Sequence, residues 1–281
     1  MNRTSLIGRI ARSPRGLLCA LFLAALVLCA VFAPWIAPYD YAAQKLSIAN
    51  TPPSAAHWLG TDEFGRDLLS RIIQGARTSL SVSVLSIALS VLAGAALGAA
   101  AGYFGGIFDR IVTMVVDLTW SFPEILLALL LIAILGPGLH STAIAIAIAY
   151  LAQFTRLTRA QVMALKGELF VDAAVTAGAR PMRVLFLHLL PNAMTPVIVA
   201  GMLATGDAIV LEATLGFFGL GAQPPVPSWG AMMSSGTAQI FIAPWIIIFP
   251  GLVIATTVIA INLFGDALIE ALDIRRPLRD G

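Results

Sequence analysis

Apolar runs long enough to cross a bilayer recur along almost the whole of this 281-residue chain. Hydrophobic residues make up 59% of the sequence and charged residues only 11%, whereas soluble domains carry about 25% charged residues. A hydrocarbon core about 30 Å thick is crossed by about 20 helical residues, and a helix satisfies all its own backbone groups there. The composition predicts an all-α integral membrane protein, with the lipid bilayer and not nucleic acid as its surroundings.

Six transmembrane helices are predicted from the apolar runs. They lie at about residues 17–37, 80–103, 111–135, 141–154, 195–218 and 242–265. A helical pattern that starts at Thr61, a candidate N-cap, predicts an interfacial helix that leads into the second span. Within that span Gly94, Gly98 and Gly102 recur every four residues, which predicts a bare face for close helix packing.

The basic residues predict the orientation of the chain, because lysine and arginine collect on the cytoplasmic side. With the N-terminus inside, six spans place both termini and the segment between spans four and five in the cytoplasm. Most of the 17 lysines and arginines are then inside, and Lys45, Arg66, Arg71 and Arg77 are outside. The tail at residues 1–16, with four arginines and no acid, fits either an amphipathic surface helix or a disordered segment.

The segment 166–191 separates two apolar runs and is too polar to lie in hydrocarbon. Gly178 predicts the end of one short helix, in the left-handed conformation, and Pro181 predicts the first turn of the next. A run of small residues gives the first helix an almost bare face: Ala173, Ala174, Ala177, Gly178 and Ala179. The pattern predicts a compact docking element, although a loop without a partner would have the same local structure.

Four acidic residues fall inside predicted spans, where each costs about 2.5–3.5 kcal/mol unless it faces protein or water. Asp117 and Glu124 are expected on one face of the third span, Asp207 near the midplane of the fifth, and Glu212 nearer its outer end. All four are candidates to line a translocation path, and Glu124 and Asp207 are the pair expected to meet a cationic group on a solute. The alternative is structural: they cap broken helix ends or bond to backbone at helix contacts.

Neither a nucleotide site nor a metal or catalytic site is evident in the sequence. Of the two lysines, Lys45 and Lys166, neither is followed by the serine or threonine that a P-loop requires. His57, His140 and His188 are scattered along the chain. We therefore expect no cofactor, no metal and no enzymatic activity in this chain, so energy for any transport must come from another chain or from a gradient.

Several stretches resemble the permeases of ABC importers. Asp172-Ala173-Ala174, Gly178 and Leu190-Pro191 are similar to the EAA loop of that family, with Asp172 in place of the usual glutamate and His188 in place of an aliphatic residue. The stretch 57–71 resembles the H-x-L-G-T-D-x-x-G-R-D-x-x-S-R pattern of the dipeptide/oligopeptide/nickel branch. The fifth and sixth spans and the proline-rich loop between them, QPPVPSW, are similar to the same branch.

The resemblance implies a C-type permease subunit with the type I, MetI-like fold in a bacterial inner membrane. It implies an N-terminal region at 1–77 and a permease core at 78–281 that contains segment 166–191 as the coupling loop. The expected partners are a B-type permease, two ATPases that bind ATP and magnesium on the cytoplasmic side, and an external substrate-binding protein.

The resemblance also implies roles for particular residues. The residues expected to couple to the ATPases are Glu168, Asp172, Ala173, Ala174, Gly178, Arg180, Leu190 and Pro191. The residues expected to gate the outer side or to contact the binding protein are Gln223, Pro224, Pro225 and Trp229. Di- or oligopeptides are the expected solute, with nickel, glutathione and opine-like compounds as alternatives. A proton-coupled secondary transporter is the alternative from another class.

Overall fold

The computed structural model describes residues 13–272, and helices are the only extended regular elements within them. Short 3-10 turns lie at Leu46–Ile48 and Thr237–Gln239, and a π-helical turn at Val184–Leu189. The helices are α1 Pro14–Val31, α2 Ala33–Ile36, α3 Leu68–Phe104, α4 Gly106–Trp120, α5 Glu124–Leu135, α6 Leu139–Leu165, α7 Leu169–Thr176, α8 Pro181–Arg183, α9 Leu190–Phe217, α10 Trp229–Gly236 and α11 Trp245–Ala271. Most of the predicted N-terminal surface helix, and Arg275, Arg276 and Arg279, lie outside the described residues.

Four helical stretches between residues 13 and 272 are long and apolar enough to cross a membrane, and the α4–α5 pair makes a fifth if it counts as one span. The four stretches are Pro14–Val31, Leu68–Phe104, Pro181–Phe217 and Trp245–Ala271. The predicted fourth span corresponds to α6, a 27-residue helix whose buried face is rich in alanine and threonine. The six-span count and the cytoplasmic termini stay predictions.

The glycine face of α3 packs against α6, as the four-residue spacing predicts. A Cβ on Gly94 would lie 2.7 Å from the Cβ of Phe154, and one on Gly98 would lie 2.9 Å from the backbone nitrogen of Arg159. A Cβ on Gly102 would come within 2.9 Å of the Arg159 carbonyl oxygen. The two backbones are in near contact over two turns, because no side chain separates them.

The start of α3 differs from the prediction that Thr61 caps the interfacial helix that leads into the second span. Asp67 is the N-cap, and its carboxylate accepts a hydrogen bond from the Ser70 backbone at 2.8 Å. The helix then runs without a break for 37 residues to Phe104. Thr61 instead holds the preceding loop together, since its hydroxyl accepts a hydrogen bond from the Thr51 backbone at 2.9 Å.

The third predicted span is broken between its two acidic residues. Helices α4 and α5 meet at 96°, so the expectation that Asp117 and Glu124 share one helical face is wrong. Pro123, the third residue after Trp120, is the N-cap of α5. Because proline has no backbone N–H, it cannot donate the hydrogen bond that a continuous helix would need at this position. Glu124 thereby becomes the first residue of α5 instead of the middle of a span.

The largest apolar cluster lies among α3, α5, α6 and α9 and includes Ile132, Ile146, Phe154 and Leu215, which are each at most 1% exposed. Helix α1 packs at the side of this bundle, against α3 and α11, around Ala30. The bundle therefore buries the central parts of α6 and α9. These two helices carry Tyr150 and Asp207.

Candidate functional site: the coupling loop and the intramembrane acids

The segment 166–191, the predicted coupling loop, contains the two short helices that its sequence predicts. Helix α7 ends in a left-handed glycine, Gly178, with φ of +81°. The Gly178 backbone donates to the Val175 carbonyl at 2.9 Å, and the Ala179 backbone donates to the Ala174 carbonyl at 3.0 Å. This pair of bonds is the Schellman arrangement that closes a helix at glycine, so the predicted helix end at Gly178 is confirmed.

The second half of the loop leads directly into the membrane. Pro181 occupies the first position of α8, as predicted. From there the backbone stays helical through the π turn at Val184–Leu189 and into α9, so Pro181–Phe217 forms one stretch of 37 residues. A displacement of the loop at Pro181 is therefore applied to a helix that extends across the membrane.

One face of the loop is anchored on the bundle. Val171, Val184, Leu185 and Leu189 are at most 4% exposed and pack in one cluster with Ala99 of α3 and Val162 of α6. At the C-terminal end of α6 the ammonium of Lys166 donates to the Tyr103 carbonyl oxygen at 2.7 Å. The loop is thus tied to the two membrane helices α3 and α6.

The opposite face of the loop is open. Leu169 is 83% exposed and Val175 is 55% exposed. Of the residues assigned to coupling, the exposed ones are Glu168, Asp172, Ala173, Gly178, Arg180 and Pro191, and the half-buried ones are Ala174 and Leu190. The open face combines apolar side chains, bare backbone and both signs of charge.

Two acids on α4 pair with arginines on α6. Asp109 makes a two-pronged contact with Arg159, with nitrogen–oxygen distances of 2.5 and 2.7 Å. Asp117 lies 3.8 Å from Arg156, whose guanidinium carbon is 4.6 Å from the centre of the Trp120 ring. Asp117 therefore has its counter-charge within the chain. The Asp109–Arg159 pair was not identified from the sequence, because its members are 50 residues apart and nothing local links them.

The two acids that were expected to meet a solute lie within electrostatic reach of the same tyrosine. Glu124 and Asp207 are both exposed, and both carboxylates interact electrostatically with the hydroxyl of Tyr150 on α6. Tyr150 was not singled out from the sequence, where an isolated tyrosine in an apolar run is indistinguishable from a packing residue. Three different helices, α5, α6 and α9, supply these groups.

Glu212 differs from the other intramembrane acids because it is fully buried. The hydroxyls of Ser79 and Ser228 lie beside its carboxylate, but neither carboxylate oxygen has a hydrogen-bond partner of normal geometry within residues 13–272. Both serines are also fully buried, and each accepts a hydrogen bond from a backbone nitrogen at the start of α10. Glu212 therefore lies in the interior, between α3, α9 and α10, and does not line an open path in this conformation.

The proline-rich loop between α9 and α10 is only partly accessible. Gln223, Pro224 and Pro225 are exposed, and the Gln223 amide donates to the carbonyl oxygens of Gly219 and Gly221, both at 3.1 Å. Trp229 is fully buried, and its indole donates to the Ile72 carbonyl oxygen at 3.1 Å. In this conformation Trp229 is an internal anchor, and the accessible part of the loop is its first half.

The stretch 57–71 forms a buried ionic network beside the N-terminus of α3. The Asp62 carboxylate is 2.6 Å from the Arg66 guanidinium and 3.3 Å from that of Arg71. The Asp67 carboxylate lies 2.9 Å from His57 Nδ1. These charges satisfy one another, so this distinctive motif holds the predicted outer loop on the bundle. Among the described residues no group of three or more His, Cys, Asp or Glu side chains is arranged to hold a metal ion.

Comparison with known families identifies the protein family to which this chain belongs. Residues 90–276 match the family model described as binding-protein-dependent transport system inner membrane component. The chain belongs to this family of ABC-importer permeases. The permease also matches, over residues 6–53, the model of the N-terminal transmembrane domain of oligopeptide transport permease C.

Curated relatives resemble the permease over nearly its whole length. A di/tripeptide transport system permease protein of Pseudomonas aeruginosa is 46% identical over 90% of this chain and 86% of its own length. A dipeptide transport system permease protein of Alkalihalophilus pseudofirmus is 41% identical over 88% of this chain and 81% of its own. A glutathione transport system permease protein of Shigella flexneri is 42% identical over 94% of this chain and 88% of its own.

Among solved structures, the permease is similar in fold to a chain of the MetNI methionine ABC transporter. The TM-score is 0.59 at 18% identity, and the match covers 73% of this chain and 97% of that one. The fold is therefore MetI-like, as the sequence resemblance implied. Family and apolar helices together make the permease a multi-pass protein of the inner membrane, and a component of a transporter that also has ATPase and substrate-binding parts.

Proposed function

We propose that this permease forms, with a second permease of the B type, the path by which a small peptide-like solute enters the cell. Support for the solute class comes from the relatives named for di/tripeptides, for dipeptides and for glutathione, at 46%, 41% and 42% identity. Peptides and glutathione share a free ammonium group and at least one carboxylate. Acids that are exposed along the membrane helices suit a solute with an ammonium group.

The ATPase subunits are proposed to dock on the open face of the coupling loop. One observation carries this proposal: Pro181 of the loop and Asp207 in the membrane belong to the same helical stretch, Pro181–Phe217. At 1.5 Å per residue this stretch is about 55 Å long. A movement that ATP imposes on the loop is thereby applied at the path itself. Asp172, which is exposed, is proposed to contact a basic residue of the ATPase.

The proposed roles of the ATPases and of the binding protein follow from these roles of the permease. ATP and magnesium are proposed to bind the two ATPase subunits, and this chain is proposed to have no cofactor and no enzymatic activity. The external binding protein is proposed to deliver the solute at the predicted outer face, where Gln223, Pro224 and Pro225 are exposed.

Affinity purification of the tagged chain from native membranes tests the assembly. Mass spectrometry should find a second permease and ATPase subunits with the wild type. Asp172→Lys should retain the second permease but lose the ATPases, because charge reversal opposes the docking contact. Asp40→Lys, the same change at an exposed residue of the predicted outer face, is the matched control and should retain both. ATPases recovered equally with Asp172→Lys would contradict the docking role.

Uptake of radiolabelled dipeptide into proteoliposomes that hold the purified assembly and its binding protein tests the activity. We expect uptake that requires ATP and stops when the ATPases are omitted. Uptake of nickel or an opine instead of dipeptide would change the solute and keep the importer. Uptake driven by a proton gradient without ATPase subunits would contradict the proposal and indicate a secondary transporter.

A further inference from the structure

Helix packing holds the backbones of the two exposed acids, Glu124 and Asp207, in place around the buried Tyr150. Tyr150 is 3% exposed and belongs to the apolar cluster that also holds Ala204 and Ala208, which flank Asp207 along α9. Ile125, next to Glu124, packs against the same cluster. The packing therefore holds the backbones that carry Glu124, Tyr150 and Asp207 together, and the tyrosine hydroxyl interacts with both carboxylates.

Between residues 13 and 272 no lysine or arginine is paired with either of these acids. Asp109 and Asp117, by contrast, each have an arginine of α6 as partner. Among the salt bridges of residues 13–272 none involves Glu124 or Asp207. A carboxylate in a membrane region is favourable only where it meets water or a positive charge. Because no positive charge of the described residues reaches these two acids, they are open to a cation from outside the chain.

Structural roles for the two acids are less well supported by the contacts. Glu124 is in the first turn of α5, where a negative charge is favourable, but within residues 13–272 its carboxylate accepts no hydrogen bond from the backbone of that turn. Asp207 lies in the middle of α9, far from either helix end, and makes no side-chain hydrogen bond to backbone in the described part of the chain. Burial against a neighbouring helix is also excluded for both, because both are exposed.

We infer that Glu124, Tyr150 and Asp207 form a recognition site for the primary ammonium group of the transported solute. An ammonium group has three N–H donors and no acceptor. The site offers three acceptor groups, two carboxylates and one phenolic oxygen, on three helices. The inference rests on the proposed function, because it names the part of the solute that the membrane path recognises. A solute whose amine is acylated has neither the charge nor the three donors.

Equilibrium binding to the assembled transporter in lipid nanodiscs, without the binding protein, tests this site directly. The probes are L-alanyl-L-alanine and its N-acetyl derivative. The wild type should bind the free dipeptide about tenfold to a hundredfold more tightly, the range expected for one or two charge-assisted hydrogen bonds. Asp207→Asn and Glu124→Gln should reduce this preference about tenfold each and leave the weak binding of the acetylated probe unchanged.

Two further variants complete the experiment. Tyr150→Phe removes the hydroxyl and keeps the ring that packs in the cluster, so it should reduce the preference by a few-fold without lowering the melting temperature. Asp40→Asn, an exposed aspartate outside the site, should retain the wild-type preference. Equal binding of both probes to the wild type, or an equal loss of both in Asp207→Asn, would overturn the inference.

The same variants separate this inference from the proposed function. If wild-type proteoliposomes take up the dipeptide but Asp207→Asn keeps the full preference for the free amine, the site assignment fails and the importer stands. If the wild type takes up no dipeptide, the proposed solute fails. If Asp207→Asn loses the second permease during purification and neither form discriminates between the probes, the missing cation belongs to the partner subunit, and the inference is overturned.

Discussion

Replacing Gly94 with alanine adds one methyl group at the closest approach of two membrane helices. The new Cβ would lie 2.7 Å from the Phe154 Cβ, 2.9 Å from the Thr155 backbone nitrogen and 3.1 Å from the Phe154 carbonyl carbon. Carbon atoms in contact are normally about 3.5–4.0 Å apart. None of these neighbours is the end of a flexible side chain, so α3 and α6 must separate by about 1 Å to relieve the overlap.

The free energy of this change is the balance of two effects. Alanine is favoured over glycine inside a helix by about 1 kcal/mol. Overpacking of a well-packed interior costs about 1–3 kcal/mol, and the upper part of that range applies where backbone atoms must move. A net loss of about 1–2 kcal/mol follows, which lowers the melting temperature of a protein of this size by about 3–6 °C.

Thermal unfolding of the purified assembly in detergent, followed by tryptophan fluorescence, measures this loss. Gly206→Ala is the matched control, because Gly206 is also buried in a helix but its added Cβ would meet Ile261 at an ordinary 3.5 Å. It should unfold at the wild-type temperature or slightly above. If Gly94→Ala is as stable as the wild type, or Gly206→Ala loses as much, the glycine face does not set the distance between α3 and α6.

Two other predictions follow from paired and unpaired charges. Asp109→Asn should lower stability by about 1–2 kcal/mol, because Arg159 loses a two-pronged partner that is only partly screened by solvent. In the same melting assay, the double variant Asp109→Arg with Arg159→Asp should recover part of this loss. If the double variant instead loses as much as its two single variants added together, the pairing is refuted. Glu212→Gln keeps the shape of a fully buried side chain and removes the need to bury a charge without a partner, so its melting temperature should equal or exceed that of the wild type. A lower value for Glu212→Gln would mean that the negative charge itself is compensated in the assembly.

Local features of the coupling loop were predictable because they depend on neighbouring residues alone. Gly178 ends α7 with a positive φ, and Pro181 begins the next helix, since glycine and proline restrict the backbone whatever the rest of the chain does. The glycine face of α3 was predictable for a similar reason: a four-residue spacing places Gly94, Gly98 and Gly102 on one side of any helix.

Other features could not be predicted because they depend on distant parts of the chain. The break between α4 and α5 at 96° was read as one continuous span, since apolar composition does not reveal a bend. Trp229 was assigned to an outer contact, and its buried position depends on Ile72 and Ser79 of another helix. A proline or tryptophan in the sequence does not report which surface will cover it.

The sequence by itself determined that this chain is a helical membrane protein of the ABC-importer permease family, because composition and contiguous motifs carry that information. It also predicted the coupling loop and pointed to the four acids within the predicted spans as candidate functional residues. Only the tertiary structure decided which acids have a counter-charge. Asp109 and Asp117 are paired with arginines of α6, Glu212 is enclosed, and Glu124 and Asp207 both lie within electrostatic reach of Tyr150. Electrostatic interactions act across space between helices, so the partner of each charge depends on how α4, α5, α6 and α9 pack together.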